Sequence, residues 1–185
     1  MSKRNSRRKL LTAGLASLAL GAGFMSLARK PAQAETPAPK PATPPSSKDE
    51  AALRSYYMKL TEADWKKRLS KDQFHILRNE GTERAGTSPL NNEKRDGTYH
   101  CAGCEQALFT SEMKYDSGTG WPSFFTTLPG AFNTKRDFKL FLPRTEYHCS
   151  RCGGHHGHVF NDGPPPTGKR YCNNGIALKF IPKEA

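Results

Sequence analysis

Two pairs of cysteines constrain this chain more than any other feature of its sequence. The pairs read CAGC and CSRC, with 44 residues between them, and consist of Cys101, Cys104, Cys149 and Cys152. A CxxC turn directs two sulfurs at one point, so two such turns supply the four ligands of a tetrahedral zinc site. Gly103 and Gly153 would ease the geometry of the turns. We therefore expect one structural zinc ion that ties two distant parts of the chain together.

The N-terminus predicts an export signal. Residues 1–9 are basic, residues 10–28 are apolar and uncharged, and a small-residue cleavage motif ends at Ala34. The Arg7 and Arg8 pair is typical of the bacterial twin-arginine route, which predicts an exported, periplasmic protein. An uncleaved membrane anchor is the alternative. Glycines and serines interrupt the apolar run, so we expect cleavage and no stable membrane insertion.

The sequence divides into a signal over residues 1–34, a Pro-rich linker over residues 35–47 and one folded domain over residues 48–185. The signal holds seven basic residues and no acidic ones. Without it the chain has 22 basic and 17 acidic residues, and its net charge falls from +12 to +5. This modest excess, with no basic stripe interleaved with aromatic residues, argues against a nucleic-acid partner.

The export signal raises an alternative for the four paired cysteines, because oxidising compartments favour disulfides. A disulfide within either CxxC pair would be strained and redox-active. The matched spacing favours zinc. If the twin-arginine route carries folded proteins, the metal can be loaded in the reducing cytoplasm before export.

The folded domain is predicted to be mainly β with short helices at its start. Apolar residues at helical spacing begin it, and the pairs Thr61–Asp64 and Ser70–Gln73 have the form of helix N-caps. These helices would bury Trp65, Leu69, Phe74 and Leu77. Short β-like runs follow Gly81, and they read TYHC, ALFTS, KLFLP, TEYHC, HVF, RYC and IALKFI. Turn residues separate the runs, which predicts a small antiparallel β domain.

Cys172 is the one cysteine without a close cysteine neighbour, which suggests a reactive thiol. A buried, inert thiol is the alternative. If the surrounding run KRYCNN is a strand, the side chains of Arg170, Cys172 and Asn174 lie on one face. A guanidinium beside a thiol favours the nucleophilic thiolate, and an amide can orient a polar substrate.

Two further runs carry residues suited to a reactive site. GGHHGHVFNDGPPP contains His155, His156, His158 and Asp162. Histidines transfer protons near neutral pH, although a metal site or, for the aspartate, a turn cap is the alternative. SGTGWPSFF presents Trp121, Phe124 and Phe125 on a glycine-rich loop. Aromatic residues more often form core, but a tryptophan between glycine and proline can line a pocket for a methyl or thioether group.

Taken together, these runs resemble the B-type methionine-R-sulfoxide reductases. The segments that carry the resemblance are DWKKRLSKDQFHILRNEGTE, GTYHCAGCEQALF, KYDSGTGWPSF and EYHCSRCGGHHGHVFNDGPPPTGKRYCNNGIALKF. They occur in the family's order from about Asp64 to Phe180. The resemblance implies a mainly β fold of two antiparallel sheets, β-tent or Mss4-like, with one structural zinc on the four paired cysteines. It also implies reduction of methionine-R-sulfoxide, free or protein-bound, to methionine.

The resemblance also implies roles for individual residues. The implied catalytic residues are Cys172, His155, His158 and Asn174, and the implied substrate-binding residues are Trp121, Phe124, Arg170 and Asp162. The Cys172 thiolate would attack the sulfoxide sulfur and finish as a sulfenic acid, while the two histidines handle the oxygen. Strict strand alternation would put His155 and His158 on opposite faces. A bulge at Gly157 would bring them together.

Two positions depart from the family pattern. Thr119 stands where many members carry a second, resolving cysteine, so the sulfenic acid of Cys172 should meet an external thiol, either thioredoxin-like or small. His156 stands where the family is usually aliphatic. We expect a monomer that acts on oxidised proteins or free methionine sulfoxide. The rival functions are a non-catalytic zinc-stabilised binding module and a thiol–disulfide oxidoreductase that uses a CxxC pair.

Overall fold

The computed structural model describes residues 49–138 and 143–184. The signal and the linker, predicted over residues 1–34 and 35–47, lie outside the described residues, as does most of the predicted strand KLFLP. In the described part of the chain, no helix combines the length and the apolar character that crossing a membrane requires.

Three short helices open the described part: α1 (Glu50–Met58), α2 (Glu62–Arg68) and α3 (Lys71–Asn79). The Asp64 amide donates to the Thr61 hydroxyl at 3.2 Å, and the Asp64 carboxylate accepts from the Thr61 amide at 3.0 Å. Ser70 and Gln73 form the same reciprocal capping box at the start of α3. Each box satisfies two amide groups that a helix start leaves without partners, so both predicted N-caps are confirmed.

The helices pack their apolar side chains against the β domain. Trp65, Leu69 and Leu77 are buried as predicted, whereas Phe74 is only partly buried and Ile76 is buried instead. Helix α3 contacts the strand that carries the histidine-rich run and the short turn near the C-terminus. The helices therefore lie close to the segments that carry the candidate site.

Within the described ranges, nine strands form two antiparallel sheets. The strands are β1 (Gly97–Cys101), β2 (Ala107–Thr110), β3 (Lys114–Tyr115), β4 (Ser123–Phe124), β5 (Phe132–Asp137), β6 (Arg144–Cys149), β7 (His155–Phe160), β8 (Arg170–Asn173) and β9 (Leu178–Pro182). One sheet has the order β2-β1-β9 and the other β3-β4-β8-β7-β6-β5. The predicted fold class, mainly β with two antiparallel sheets and short N-terminal helices, is confirmed.

Aromatic side chains from both sheets meet in the core. Phe109 of β2 stacks on Phe124 of β4 with ring centroids 3.9 Å apart. Tyr99 of β1 packs edge-on against the same Phe124 ring at 5.0 Å. All three rings are fully buried, and such pairs add about 0.5–1.5 kcal/mol each beyond the area that they bury. This contact holds the β1–β2 hairpin against the larger sheet.

Candidate active site and zinc centre

The four paired cysteines converge on one buried point. Their Sγ atoms all lie within 4.8 Å of one another, with contacts of 3.7 Å between Cys101 and Cys152 and 3.4 Å between Cys104 and Cys149. A tetrahedral zinc with sulfur ligands at about 2.3 Å sets the sulfurs about 3.8 Å apart. A disulfide would need about 2.05 Å, and all five cysteines are free thiols. The cluster fits a structural zinc site, as predicted.

The two CxxC turns have the same backbone geometry but place different residues in it. After the second cysteine of each pair the backbone turns into the left-handed region, at Gly153 (φ 71°) and at Glu105 (φ 61°). Gly153 takes a conformation that favours glycine, as predicted, whereas in the first turn Glu105 rather than Gly103 adopts the positive φ. A Cβ atom on Gly103 would lie 3.5 Å from the side chains of Trp65 and Leu77, so this glycine packs beneath the helices instead.

Arginine side chains surround the thiol cluster. Arg68 donates to the Gly103 carbonyl at 2.8 Å, and Arg78 donates to the Cys152 carbonyl at 3.0 Å. Arg151 donates to the Cys104 carbonyl at 3.0 Å. Four thiolates around a zinc dication leave a net charge of −2, which nearby guanidinium groups stabilise. These contacts tie α2 and α3 to the metal centre, and sequence reasoning did not find them.

Cys172 lies in the middle of the larger sheet. On β8 it stands directly opposite His158 of β7 and opposite Ser123 of β4. Arg170 stands opposite Phe160 two residues earlier on the same pair of strands, so these four side chains of β7 and β8 share one face. They line a cavity of about 260 Å³. The predicted juxtaposition of Arg170 and Cys172 is therefore present.

Most of the predicted site residues meet at this cavity. Its lining residues from the prediction are Cys172, His158, Asn174, Trp121 and Arg170, and Thr119 joins them. Phe124 lies elsewhere, since its ring is fully buried in the stack with Phe109. The structure does not place Phe124 with the site. Phe125 is half-buried and does not line the cavity.

A bulge in β7 brings two histidines to the same face. Tyr147 of β6 pairs with Gly157 and the next residue, His148, pairs with His155, so His156 has no partner in the register. The rings of His155 and His158 consequently lie 5.6 Å apart. A Cβ atom on Gly157 would lie 2.0 Å from the Cys172 carbonyl oxygen. Only glycine permits this approach, and the bulge expected at this position is present.

Each of these two histidines contacts a buried carboxylate that sequence reasoning missed. His158 Nε2 lies 2.8 Å from Asp137 Oδ2, and His155 Nδ1 lies 3.1 Å from Glu146 Oε1. Burial lowers the pKa of His155 to about 4, although Glu146 opposes the shift. Burial also lowers the pKa of His158, and its hydrogen bond to Asp137 opposes that shift. Both rings are therefore mainly neutral at pH 7.

Burial raises the pKa of the Cys172 thiol above its ordinary value, while Arg170 and Thr119 lower it. Arg170 is fixed for this role. Its guanidinium donates to both Asp162 oxygens at 2.9 and 2.8 Å and lies over the Phe160 ring at 4.3 Å. The thiolate is thus stabilised by one oriented cation but is not the resting form at neutral pH.

Trp121 is held at the cavity by a third buried acidic residue, Glu83. The indole Nε1 donates to the Glu83 carbonyl oxygen at 3.1 Å. The Glu83 carboxylate accepts from the amides of Gly175 at 2.6 Å and Ile176 at 3.0 Å, and its own amide donates to Asn174 Oδ1 at 2.9 Å. One residue therefore aligns the tryptophan loop with the segment that follows Cys172.

Comparisons with known proteins agree with this geometry. A family model described as the SelR domain matches residues 69–182. The peptide methionine sulfoxide reductase MsrB of Agrobacterium fabrum is 50% identical over 131 residues, which cover 70% of this chain and 97% of that protein. The MsrB of Leptospira interrogans is 50% identical over 127 residues, which cover 68% of this chain and 97% of that protein. The chain belongs to the MsrB family.

Among solved structures, the Mis18 'Yippee-like' domain covers 49% of this chain and 100% of its own, at 17% identity and a TM-score of 0.39. That likeness is too slight to bear on fold or function. Membership of the MsrB family favours neither a non-catalytic zinc module nor a CxxC oxidoreductase. The structure agrees, because all four CxxC sulfurs lie in one buried cluster.

Proposed function

We propose that this MsrB-family chain reduces methionine-R-sulfoxide to methionine with Cys172 as the nucleophile. The observation that carries the proposal is the position of Cys172, opposite His158 on adjacent strands and open to a cavity of about 260 Å³. A sulfoxide offers an electrophilic sulfur, a polar S–O bond and a methyl group. The cavity offers a sulfur nucleophile, a polar side lined by His158 and Arg170, and the Trp121 ring.

The reaction transfers one oxygen atom from the substrate to the enzyme. The Cys172 sulfur bonds to the sulfoxide sulfur, the oxygen receives the thiol proton, and the S–O bond breaks to release hydroxide. The hydroxide then bonds to the Cys172 sulfur as the S–S bond breaks and the thioether leaves as methionine. Cys172 ends as a sulfenic acid. Because the thiol pKa is raised and His158 is neutral, His158 is suited to take the thiol proton and then deliver it to the sulfoxide oxygen.

The remaining residues position these groups. Trp121 holds the methyl group, and Arg170, fixed by Asp162, stabilises the thiolate. His155 lies behind His158 and buttresses it from the Glu146 side. The Asn174 side chain holds two backbone groups in place. It donates to the His156 carbonyl oxygen and accepts from the Glu83 amide.

The sulfenic acid is reduced by external thiols. The four paired cysteines belong to the zinc site. The residue beside Cys172 is Thr119, which has no thiol to react with the sulfenic acid. One external thiol condenses with the sulfenic acid to form a mixed disulfide and water. A second thiol, from a thioredoxin-like protein or a small molecule, then releases Cys172 as a thiol and forms the external disulfide.

The test is an epimer-resolved assay with dithiothreitol as reductant. The zinc-loaded chain should release methionine from the R epimer and leave the S epimer unchanged. Cys172→Ser should abolish turnover while keeping one zinc per chain. The control Ser150→Ala, in the second CxxC turn, should keep both the turnover and the zinc. A sulfenic-acid probe should label Cys172 after one turnover without thiol. Turnover of the S epimer, or unchanged activity in Cys172→Ser, would contradict the proposal.

We also propose that the chain is exported through the twin-arginine route as a monomer and repairs oxidised envelope proteins. The basic, apolar and small-residue segments of residues 1–34 support this. Expression in a bacterium with and without a working twin-arginine system should yield periplasmic protein only in the first strain. Its N-terminus, read by mass spectrometry, should be Glu35. Retention of the full chain in the membrane would favour the anchor instead.

A further inference from the structure

His156 occupies an unusual place between the metal centre and the strand that carries Cys172. It is the unpaired residue of the β7 bulge and is fully buried. Its Nε2 atom lies 3.4 Å from Cys101 Sγ, within hydrogen-bonding distance of sulfur. Its ring packs against Phe132 and Tyr147, with centroid separations of 5.4 and 6.5 Å. The ring is thus held in place by the core on one side and by a zinc-site thiol on the other.

The chemistry of the contact fixes the tautomer of this ring. A zinc-bound thiolate is only an acceptor, so Nε2 must carry the proton and donate to Cys101 Sγ. Nδ1 is then an acceptor, and within the described residues it has no hydrogen-bond partner. The Asn173 side chain also lies close to this ring. Burying an imidazole with one nitrogen unpartnered lowers the free energy of unfolding unless the N–H···S contact offsets this cost.

Asn173 continues the contact toward the nucleophile. The Tyr147 hydroxyl donates to Asn173 Oδ1 at 2.9 Å and lies 3.2 Å from the backbone carbonyl oxygen of Cys172. The His156 carbonyl oxygen accepts from both the amide and the side chain of Asn174, each at 2.9 Å. The two residues that follow Cys172 are therefore held by the backbone of His156 and by a side chain that packs on its ring.

We propose that His156 is a positioning residue that donates a hydrogen bond to the Cys101 thiolate and so couples the zinc centre to the strand bearing Cys172. The hydrogen bond concerns the metal centre alone, whereas the coupling rests on the proposed function, in which Cys172 is the nucleophile. The bond orients the thiolate ligand and lowers its effective charge, as outer-shell partners of metal ligands do.

Substitutions at position 156 distinguish a hydrogen-bonding role of His156 from a role in packing alone. His156→Leu keeps an apolar side chain of similar size and removes the N–H, whereas His156→Gln keeps a donor. If the ring only packs, His156→Leu should hold zinc as well as the wild type does, since it removes a buried nitrogen that has no partner. If it donates to the thiolate, His156→Leu should lose zinc to a chelator at least tenfold faster.

The measurement is zinc release to a colorimetric chelator from the full zinc-loaded chain at pH 7.5. His156→Gln should recover most of the wild-type release time, and Tyr147→Phe, which keeps the ring that packs on His156 and removes only its hydroxyl, should resemble the wild type. Release from His156→Leu within twofold of the wild type would overturn the proposal. Equal acceleration in His156→Leu and His156→Gln would overturn it as well.

The coupling to β8 has its own readout. With excess zinc present, His156→Leu should lower kcat for the R sulfoxide several-fold with KM unchanged, and Tyr147→Phe should do the same while releasing zinc at the wild-type rate. The double variant should lose no more than either single variant, because all three interrupt one chain of contacts. Additive losses would overturn the coupling. A wild-type chain without turnover would refute the proposed function but leave the zinc-release result standing.

Discussion

At the scale of single residues, the reactivity of Cys172 depends on one cation. Burial raises the thiol pKa, and Arg170 is the largest opposing influence. Replacing Arg170 by Met should raise this pKa further and slow alkylation by iodoacetamide at pH 7.5 by about three- to tenfold, because an adjacent opposite charge shifts a pKa by about one unit or more. The difference from the wild type should shrink as the pH rises and both thiols ionise. Arg136→Met, an exposed change on β5, is the control.

An unchanged alkylation rate in Arg170→Met would show that the guanidinium does not act on the sulfur. The wild-type rate should itself rise steadily with pH up to and beyond pH 9, since the thiol is the form that burial favours. A plateau below pH 8 would contradict the direction of the shift.

Thr119 is the second residue whose identity determines the chemistry of Cys172. Its hydroxyl interacts with the Cys172 sulfur, and both side chains line the same cavity. Thr119→Cys should therefore place a thiol where it condenses with the sulfenic acid. After one turnover without reductant, this variant should contain an internal disulfide, seen as the loss of two hydrogens by mass spectrometry, and should not react with a sulfenic-acid probe.

The control for this substitution is Thr134→Cys on β5, which should keep the probe-reactive sulfenic acid. Probe labelling of Thr119→Cys at the wild-type level would show that the two positions do not approach closely enough for a disulfide. The wild type should form no internal disulfide to Cys172 in the same experiment.

At the scale of elements, the features that could be predicted are those set by residues close together in sequence. The N-caps of α2 and α3 require only residues three positions apart, and they form as predicted. The central residues of β1, β6 and β8 were also predicted as strands from their sequence patterns. Strand β5 was not predicted, because its sequence FNTKRD is polar. It is an edge strand with four exposed residues, and charges there discourage pairing with other chains.

The missed site residues share a different cause. Asp137, Glu146 and Glu83 are far from the histidines and from Trp121 in sequence, and nothing in their local sequence marks them as buried. Their role depends on register across β5, β6 and β7, which sequence patterns do not specify. By contrast, Cys172 and the CxxC pairs could be recognised because their residue type and spacing carry chemistry by themselves.

The contact between β7 and β8 depends on Gly157. An added methyl group would lie 2.0 Å from the Cys172 carbonyl oxygen, so Gly157→Ala must move the backbone beside the nucleophile. We expect kcat to fall more than tenfold and the free energy of unfolding to fall by more than the ~1–2 kcal/mol that a left-handed backbone costs an alanine, because the methyl group collides with the neighbouring strand. Urea unfolding and the R-sulfoxide assay measure the two effects.

Gly130→Ala is the matched control, since Gly130 has a φ of 69° and no neighbour within 4 Å of a Cβ atom. It should show the cost of a left-handed backbone without any collision and should keep full activity. Comparable losses in the two variants would mean that the close approach of β7 and β8 is unimportant.

At the scale of the whole molecule, the zinc centre joins the two sheets. Cys101 ends β1 of the three-stranded sheet, and Cys149 ends β6 of the six-stranded sheet. The aromatic stack of Phe109 on Phe124 makes a second junction between the same sheets. Because the four thiols are buried together, the metal is part of the core and its binding energy contributes to folding. The cavity beside Cys172 thus lies in a sheet held by two independent connections.

The buried histidines make the stability of the molecule sensitive to acid. Burial lowers the pKa of His155 to about 4, whereas an unfolded histidine has a pKa of about 6.5. Between these values the unfolded chain binds more protons, so stability is full above pH 6.5 and is lost as the pH falls. Glu146 at 3.1 Å and the rings of His148 and His158, 5.5 and 5.6 Å away, surround this imidazole.

His155→Gln should therefore reduce the acid sensitivity of folding, because glutamine does not titrate but can still donate to Glu146. Between pH 7 and pH 5 the free energy of unfolding of the wild type should fall by about 2 kcal/mol more than that of the variant. Urea unfolding of both zinc-loaded proteins at several pH values in this range gives the difference. Contributions from the zinc thiolates are common to both proteins and cancel. Parallel pH profiles would show that His155 titrates normally in the folded protein, and the neutral, buttressing role assigned to it beside His158 would then have to be abandoned.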